Sequence, residues 1–66
     1  MDIEDKVDIL EKAATNEGTE VGDMWRCLNY LYHYKQYLHS ESFSEKLDEE
    51  IELQYEYYKT IEQELE

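Results

Sequence analysis

Residues 21–38, VGDMWRCLNYLYHYKQYL, constrain this chain more than any other stretch. They carry its only tryptophan, its only cysteine and four of its seven tyrosines. Wound as a helix at about 100° per residue, the segment is apolar over most of its circumference. Val21, Met24, Trp25, Leu28, Leu31, Tyr32 and Leu38 share one face. Cys27, Tyr30, Tyr34 and Tyr37 share a second. Only Arg26, Asn29, His33 and Gln36 make a plainly polar strip. A surface helix needs a single apolar stripe, so a helix with two predicts neighbours on both sides.

The flanking segments are read from the same periodicity. With no proline and two glycines, little breaks a helical chain. Ile3, Val7, Leu10 and Ala14 recur at helical spacing, widened by Ile9 and Ala13. Asp2 is the expected cap, with Glu4 and Asp5 set against the positive end of the helix dipole. Gly18 is the expected left-handed stop. Thr19 or Asp23 is expected to cap the second helix. Ser42-Phe43-Ser44-Glu45 fits a capping box for the third. From there Phe43, Leu47, Ile51, Gln54, Tyr58, Ile61 and Leu65 form one stripe, with Tyr55 and Tyr57 flanking it and Leu53 pointing away. The reading is all-α: one domain over residues 1–66, a compact three-helix antiparallel bundle with helices at about 2–17, 20–39 and 43–65. Short connections favour antiparallel neighbours. The longer third helix is expected to overhang the first, which invites a homodimer.

A chain of 66 residues buries only about 60% of its unfolded surface and is marginal by itself. One cysteine excludes an internal disulfide, so a reduced, cytoplasmic setting is expected. No leader or membrane-spanning run is evident, and no membrane is expected as a partner. Eighteen acidic residues against six basic ones give a net charge of −12. Such a field repels nucleic acid and anionic membranes and favours basic surfaces. Strong acidity can mean disorder, but seven Tyr, Trp25 and Phe43 argue for a packed protein. Residues 1–17 carry −4 and residues 41–66 carry −8, while the charges of residues 18–40 cancel.

The acidic faces are the main candidate for function. Asp48, Glu49, Glu52 and Glu56 fall within one arc of the third helix, with Glu45 one turn earlier. Nine acids from Glu45 to Glu66 occupy a helix of roughly 35 Å, or one per ~4 Å; a DNA strand carries one phosphate per ~3.4 Å. Glu4, Asp8 and Glu11 form a second row on the first helix, so two rows are expected to stand in for two phosphate tracks. Like charges one turn apart destabilise a helix, which suggests a use for them. The alternatives are a solvated face that only confers solubility, or weak divalent-cation binding. Tyr30, Tyr34 and Tyr37, with Tyr55 and Tyr57, are candidates for a contact surface because tyrosine is large, fairly rigid and half polar. The first three fit core filling equally well. Met24, Trp25, Leu28 and Leu31 are read as core.

The remaining chemistry is thin. His33 and His39 lie about 120° apart on a helix and are read as ordinary, partly exposed side chains. No H-E-x-x-H, E-x-x-H or C-x-x-C spacing occurs, so no metal or other cofactor is expected. Cys27 has no basic neighbour on its face and is read as a buried structural cysteine. No catalytic constellation is present, and the chain is read as non-enzymatic.

In size, charge, acidic rows (Asp48-Glu49-Glu50-Glu52-Glu56 and Glu4-Asp8-Glu11) and tyrosine pattern, the chain resembles the small acidic helical inhibitors encoded by phages and mobile elements. That class includes anti-CRISPR, anti-restriction and other DNA-mimic proteins. The resemblance implies inhibition by occupying a basic groove on a nuclease, CRISPR effector, repressor or polymerase subunit. Carboxylates would take phosphate positions, and tyrosines would add shape and stacking. A second reading is a protein–protein adaptor, as a monomer or a homodimer, that binds through its tyrosine face. An antitoxin-like neutraliser of a basic toxin is a third.

Overall fold

The computed structural model describes the backbone of residues 1–65 and side chains through Gln63. The expected contact of Leu65 and the charges of Glu64 and Glu66 lie outside the described side chains. Three α-helices follow in order: α1 (Ile3–Ala13), α2 (Thr19–Tyr34) and α3 (Glu41–Leu65), with a short 3-10 turn at Lys35–Tyr37 after α2. Every pair of α-helices is in contact, which makes a three-helix bundle. The long dimension, 40 Å, matches the ~37 Å of a 25-residue helix.

The apolar stripes do the packing. Val7, Leu10 and Ala14 from α1 and its end meet Trp25 and Leu28 from α2 and Leu47 and Ile51 from α3 in one buried cluster. Ile3, Val21, Leu31, Phe43, Tyr58 and Ile61 close its edges. Contact through Tyr58 and Ile61 means α3 is in use nearly to its end, where the sequence suggests a free overhang. Trp25 is fully enclosed. Its indole N–H donates to Gln54 Oε1 at 3.0 Å, and its ring stands edge-on to Tyr58, centroids 5.7 Å apart. Gln54 in turn donates to Glu50 at 3.1 Å. Among the described residues no buried side-chain polar atom lacks a partner.

Several expected helix ends are displaced. α1 stops at Ala13, four residues early, where Asn16 N–H donates to Ala13 O (3.0 Å) and closes a turn. Asp2 occupies the cap position, but its carboxylate accepts no capping bond. Gly18 is not left-handed. Its φ is −58°, and it sits at the cap of α2 in place of Thr19 or Asp23. α3 starts at Glu41, because Ser40 rather than Ser42 caps it: Ser40 Oγ accepts the Phe43 N–H at 3.2 Å. The left-handed residue is His39, with φ 52°, which reverses the chain between the 3-10 turn and α3. A Cβ in that region costs about 1–2 kcal/mol, part of which a glycine gives back through the unfolded chain's entropy. His39→Gly is therefore expected to add about 0.5 kcal/mol and to raise the thermal midpoint by roughly 2–4 °C. His39→Val is expected to lower it by about 1 kcal/mol, since β-branched residues tolerate this conformation least. Midpoints that move together, in the same direction, would count against strain at this position.

Candidate interaction surfaces

The acidic side chains divide by what their own bundle does with them. Asp48 accepts from Lys35 Nζ at 2.8 Å, and that ammonium also lies over the Tyr32 ring, 4.4 Å from its centroid. Asp48 thereby links the turn after α2 to α3, with its side chain 40% exposed. Glu52 accepts from Lys6 Nζ at 2.5 Å, with half its side chain exposed. Lys6 itself is only 15% exposed, so this pair ties α1 to α3 while the outer half of the Glu52 carboxylate stays open to solvent. Glu45, Glu49 and Glu56 are exposed, and among the described residues no basic group pairs with them. Glu45, Glu49, Glu52 and Glu56 thus keep one accessible edge of α3.

The two expected rows do not converge. Glu11 accepts from Asn29 Nδ2 at 2.9 Å, which places the Glu4–Asp8–Glu11 row along the seam between α1 and α2. The Glu52–Lys6 pair places the α3 row along the opposite seam, between α3 and α1. α1 stands between the rows, with the exposed Lys12 on its outer arc. The two rows thus do not lie side by side on one surface.

The tyrosines divide as well. Tyr30, Tyr34 and Tyr37 are exposed at 69%, 44% and 69%, which settles their alternatives in favour of the surface. Tyr30 and Tyr34 stack nearly parallel, 6.2 Å between centroids and 11° between planes. Tyr37 continues the ladder at 5.9 Å from Tyr34. With Glu11, Arg26, Asn29, His33 and Gln36 they border an open groove of about 530 Å³. Tyr57 is also exposed. Tyr55 is buried, with Lys6 Nζ and Lys59 Nζ at 5.3 and 5.6 Å from its ring centroid, so it is a core residue and not a contact residue. Leu53 is exposed as expected.

Two expected core residues sit on the outside. Met24 is 45% exposed, and Cys27 is a free, exposed thiol. α1 and α3 cover the Trp25–Leu28 side of α2; Met24 stands at the edge of that side, and Cys27 on the side that no described element covers. The second apolar face has no neighbour here, contrary to the expectation of partners on both sides. Sequence reasoning missed this because a helix shows which faces are apolar, not which are covered.

His33 and His39 are exposed and border a second open groove of about 590 Å³ beside Glu4, Tyr32 and Lys35. Among the described residues no His, Cys, Asp and Glu cluster has the grouping of a metal site. Among the described residues no helix is long and apolar enough to cross a membrane.

Two phenols have raised pKa values. Burial pushes Tyr32 up against the opposing pull of Lys35, with Glu4, Asp48 and Asp2 adding to the rise. Burial also raises Tyr58, together with the charge of Glu62 and a hydrogen bond to its carboxylate. The unfolded chain therefore loses these protons more readily than the folded one. Their contribution is complete below the ordinary tyrosine pKa of about 10 and is lost as pH rises from there through the folded values. A Tyr32→Phe/Tyr58→Phe variant is expected to show a shallower fall in urea midpoint above pH 10 than the native chain. Parallel curves would remove these two phenols as the cause.

No protein family, curated protein or solved structure matches the chain, so the surfaces stand on their own geometry.

Proposed function

We propose that the protein is a non-enzymatic antagonist of a basic nucleic-acid-binding protein, and that the outer edge of α3 is its contact surface. Glu45, Glu49, Glu52 and Glu56 take the places of phosphates along one strand and accept from lysines and arginines of the partner's groove. The supporting observation is the accessibility of this edge: one internal pair, Lys6–Glu52, against four carboxylates. Those carboxylates recur about once per turn, ~5–6 Å apart along the axis. Each like-charge neighbour one turn away costs a few tenths of a kcal/mol, and among the described residues no basic side chain forms an ion pair with Glu45, Glu49 or Glu56. The remaining negative charge steers a basic partner toward this edge and raises the association rate at low salt.

The test is capture of a partner from a lysate of the source organism, with elution in parallel by salt and by excess duplex DNA. Release by both is the expected result. The Glu49→Lys/Glu52→Lys/Glu56→Lys variant is expected to lose at least about 100-fold in affinity, the effect of turning several charge-assisted contacts into repulsions. Its helix content should stay the same, since all three side chains are exposed. Capture that survives both eluants, or a variant that binds like the native chain, overturns the reading.

A further inference from the structure

The outer face of α2 is the largest feature that neither the core nor the α3 edge uses. We infer that two copies of this chain associate through it, α2 against α2 in antiparallel, isologous packing centred near Leu31.

Three observations point to a second copy as the occupant. The first is area. Tyr30, Tyr34 and Tyr37 are exposed at 69%, 44% and 69%, and Met24 and Leu38 at 45% and 41%. With ~200 Å² for a large side chain, these five leave roughly 500 Å² uncovered before Cys27 and Leu31 are added. Two such faces reach the ~1,000 Å² that a specific interface needs. A patch of this size is at the upper end of what a monomer shows water.

The second is charge. Two chains of −12 repel each other over most of their surfaces. The charges of residues 18–40 cancel, and Asp23 of α2 is held by Arg26 of the same helix. The face of α2 thus keeps two copies clear of the α3 carboxylate row, with Glu11 of the α1 row at its border. A basic partner gains little there and much on α3, which separates the two surfaces by chemistry.

The third is self-complementarity, which an isologous contact requires. The apolar face runs from Met24 to Leu38, so its midpoint lies near Leu31. Antiparallel packing about that point sets Cys27 against the partner's Tyr34, and Met24 against the partner's Leu38. The tyrosine ladder is already stacked, so its rings lose little rotamer freedom on docking. Each copy keeps its α3 edge free, and the pair presents two.

Sedimentation equilibrium of the full chain, over a range of concentration and salt, tests this. The expected mass is twice 8.1 kDa at high micromolar concentration. Association should tighten as salt screens the −12 charges, the opposite of the salt response expected for a basic partner, so the two proposals fail separately. Tyr34→Asp puts a carboxylate in the centre of the face and is expected to weaken association at least about 100-fold while the chain stays folded. Leu53→Asp, on the outer arc of α3, should leave association unchanged. Alkylation of Cys27 should slow several-fold as concentration rises through the association range. A native chain that stays monomeric at all concentrations, or a dimer that Tyr34→Asp leaves intact, overturns the inference.

Discussion

Trp25→Ala is expected to abolish cooperative folding at room temperature. The indole is fully enclosed between α1 and α3, and removing a buried tryptophan costs about 3–5 kcal/mol in lost transfer energy and cavity. A 66-residue chain has a total stability of only about 3–10 kcal/mol at 0.05–0.15 kcal/mol per residue. The substitution therefore removes most of what there is. It also takes away the edge-on contact to Tyr58 and the donor to Gln54. Trp25→Phe separates these effects. It keeps a ring in the cavity and loses the Gln54 bond, for an expected loss of about 1–3 kcal/mol, and the chain should still melt as one unit. Urea titration followed by far-ultraviolet circular dichroism reads both. If Trp25→Ala gives a sharp transition close to the native one, the bundle does not depend on this residue and the packing described here is wrong.

The part of the fold that rests on periodicity is legible in the sequence. Val7, Leu10, Ala14, Trp25, Leu28, Leu47 and Ile51 all lie on stripes read from spacing, and all are buried. Helix ends are less legible, for a local reason. Ser40, Ser42 and Ser44 offer near-equivalent caps, and which one closes depends on where His39 reverses the chain. Flanking residues are the least legible. Tyr55 and Tyr57 border the same stripe on either side, yet Tyr55 turns toward Lys6 of α1 and is buried while Tyr57 faces out. That difference is set by the position of a neighbour, not by any property of the helix itself. The same holds for Met24 and Cys27, and for Asp48, whose pairing needs Lys35 to arrive from another element.

Gly22 carries a prediction opposite in sign to the one its sequence position suggests. Inside an exposed helix, replacing glycine by alanine adds about 1 kcal/mol of stability. Gly22 is near the start of α2, where the expected effect is a small gain. In the bundle it is buried where α2 crosses the end of α1, and a Cβ there lies 2.6 Å from the carbonyl oxygen of Ala14. The obstacle is backbone, so no side-chain rotation relieves it. α1 and α2 must move apart at the level of Ala14 and Trp25, both buried in the same core. Overpacking of this kind costs about 1–3 kcal/mol, and with no slack in Ala14 the upper part of that range applies. Gly22→Ala is therefore expected to lower the thermal midpoint by roughly 8–24 °C, at ~4–8 °C per kcal/mol for a domain of this size. Gly18→Ala is the matched control. Its φ of −58° suits any residue, and nothing stands within 4 Å of the added carbon. The loss of glycine's modest preference at a helix cap roughly offsets the gain from a stiffer unfolded chain, so little change is expected. A Gly22→Ala protein more stable than the native chain would mean that α1 and α2 do not cross at this distance. The same substitution at two glycines thus separates the preference of a helix from the contact between two of them.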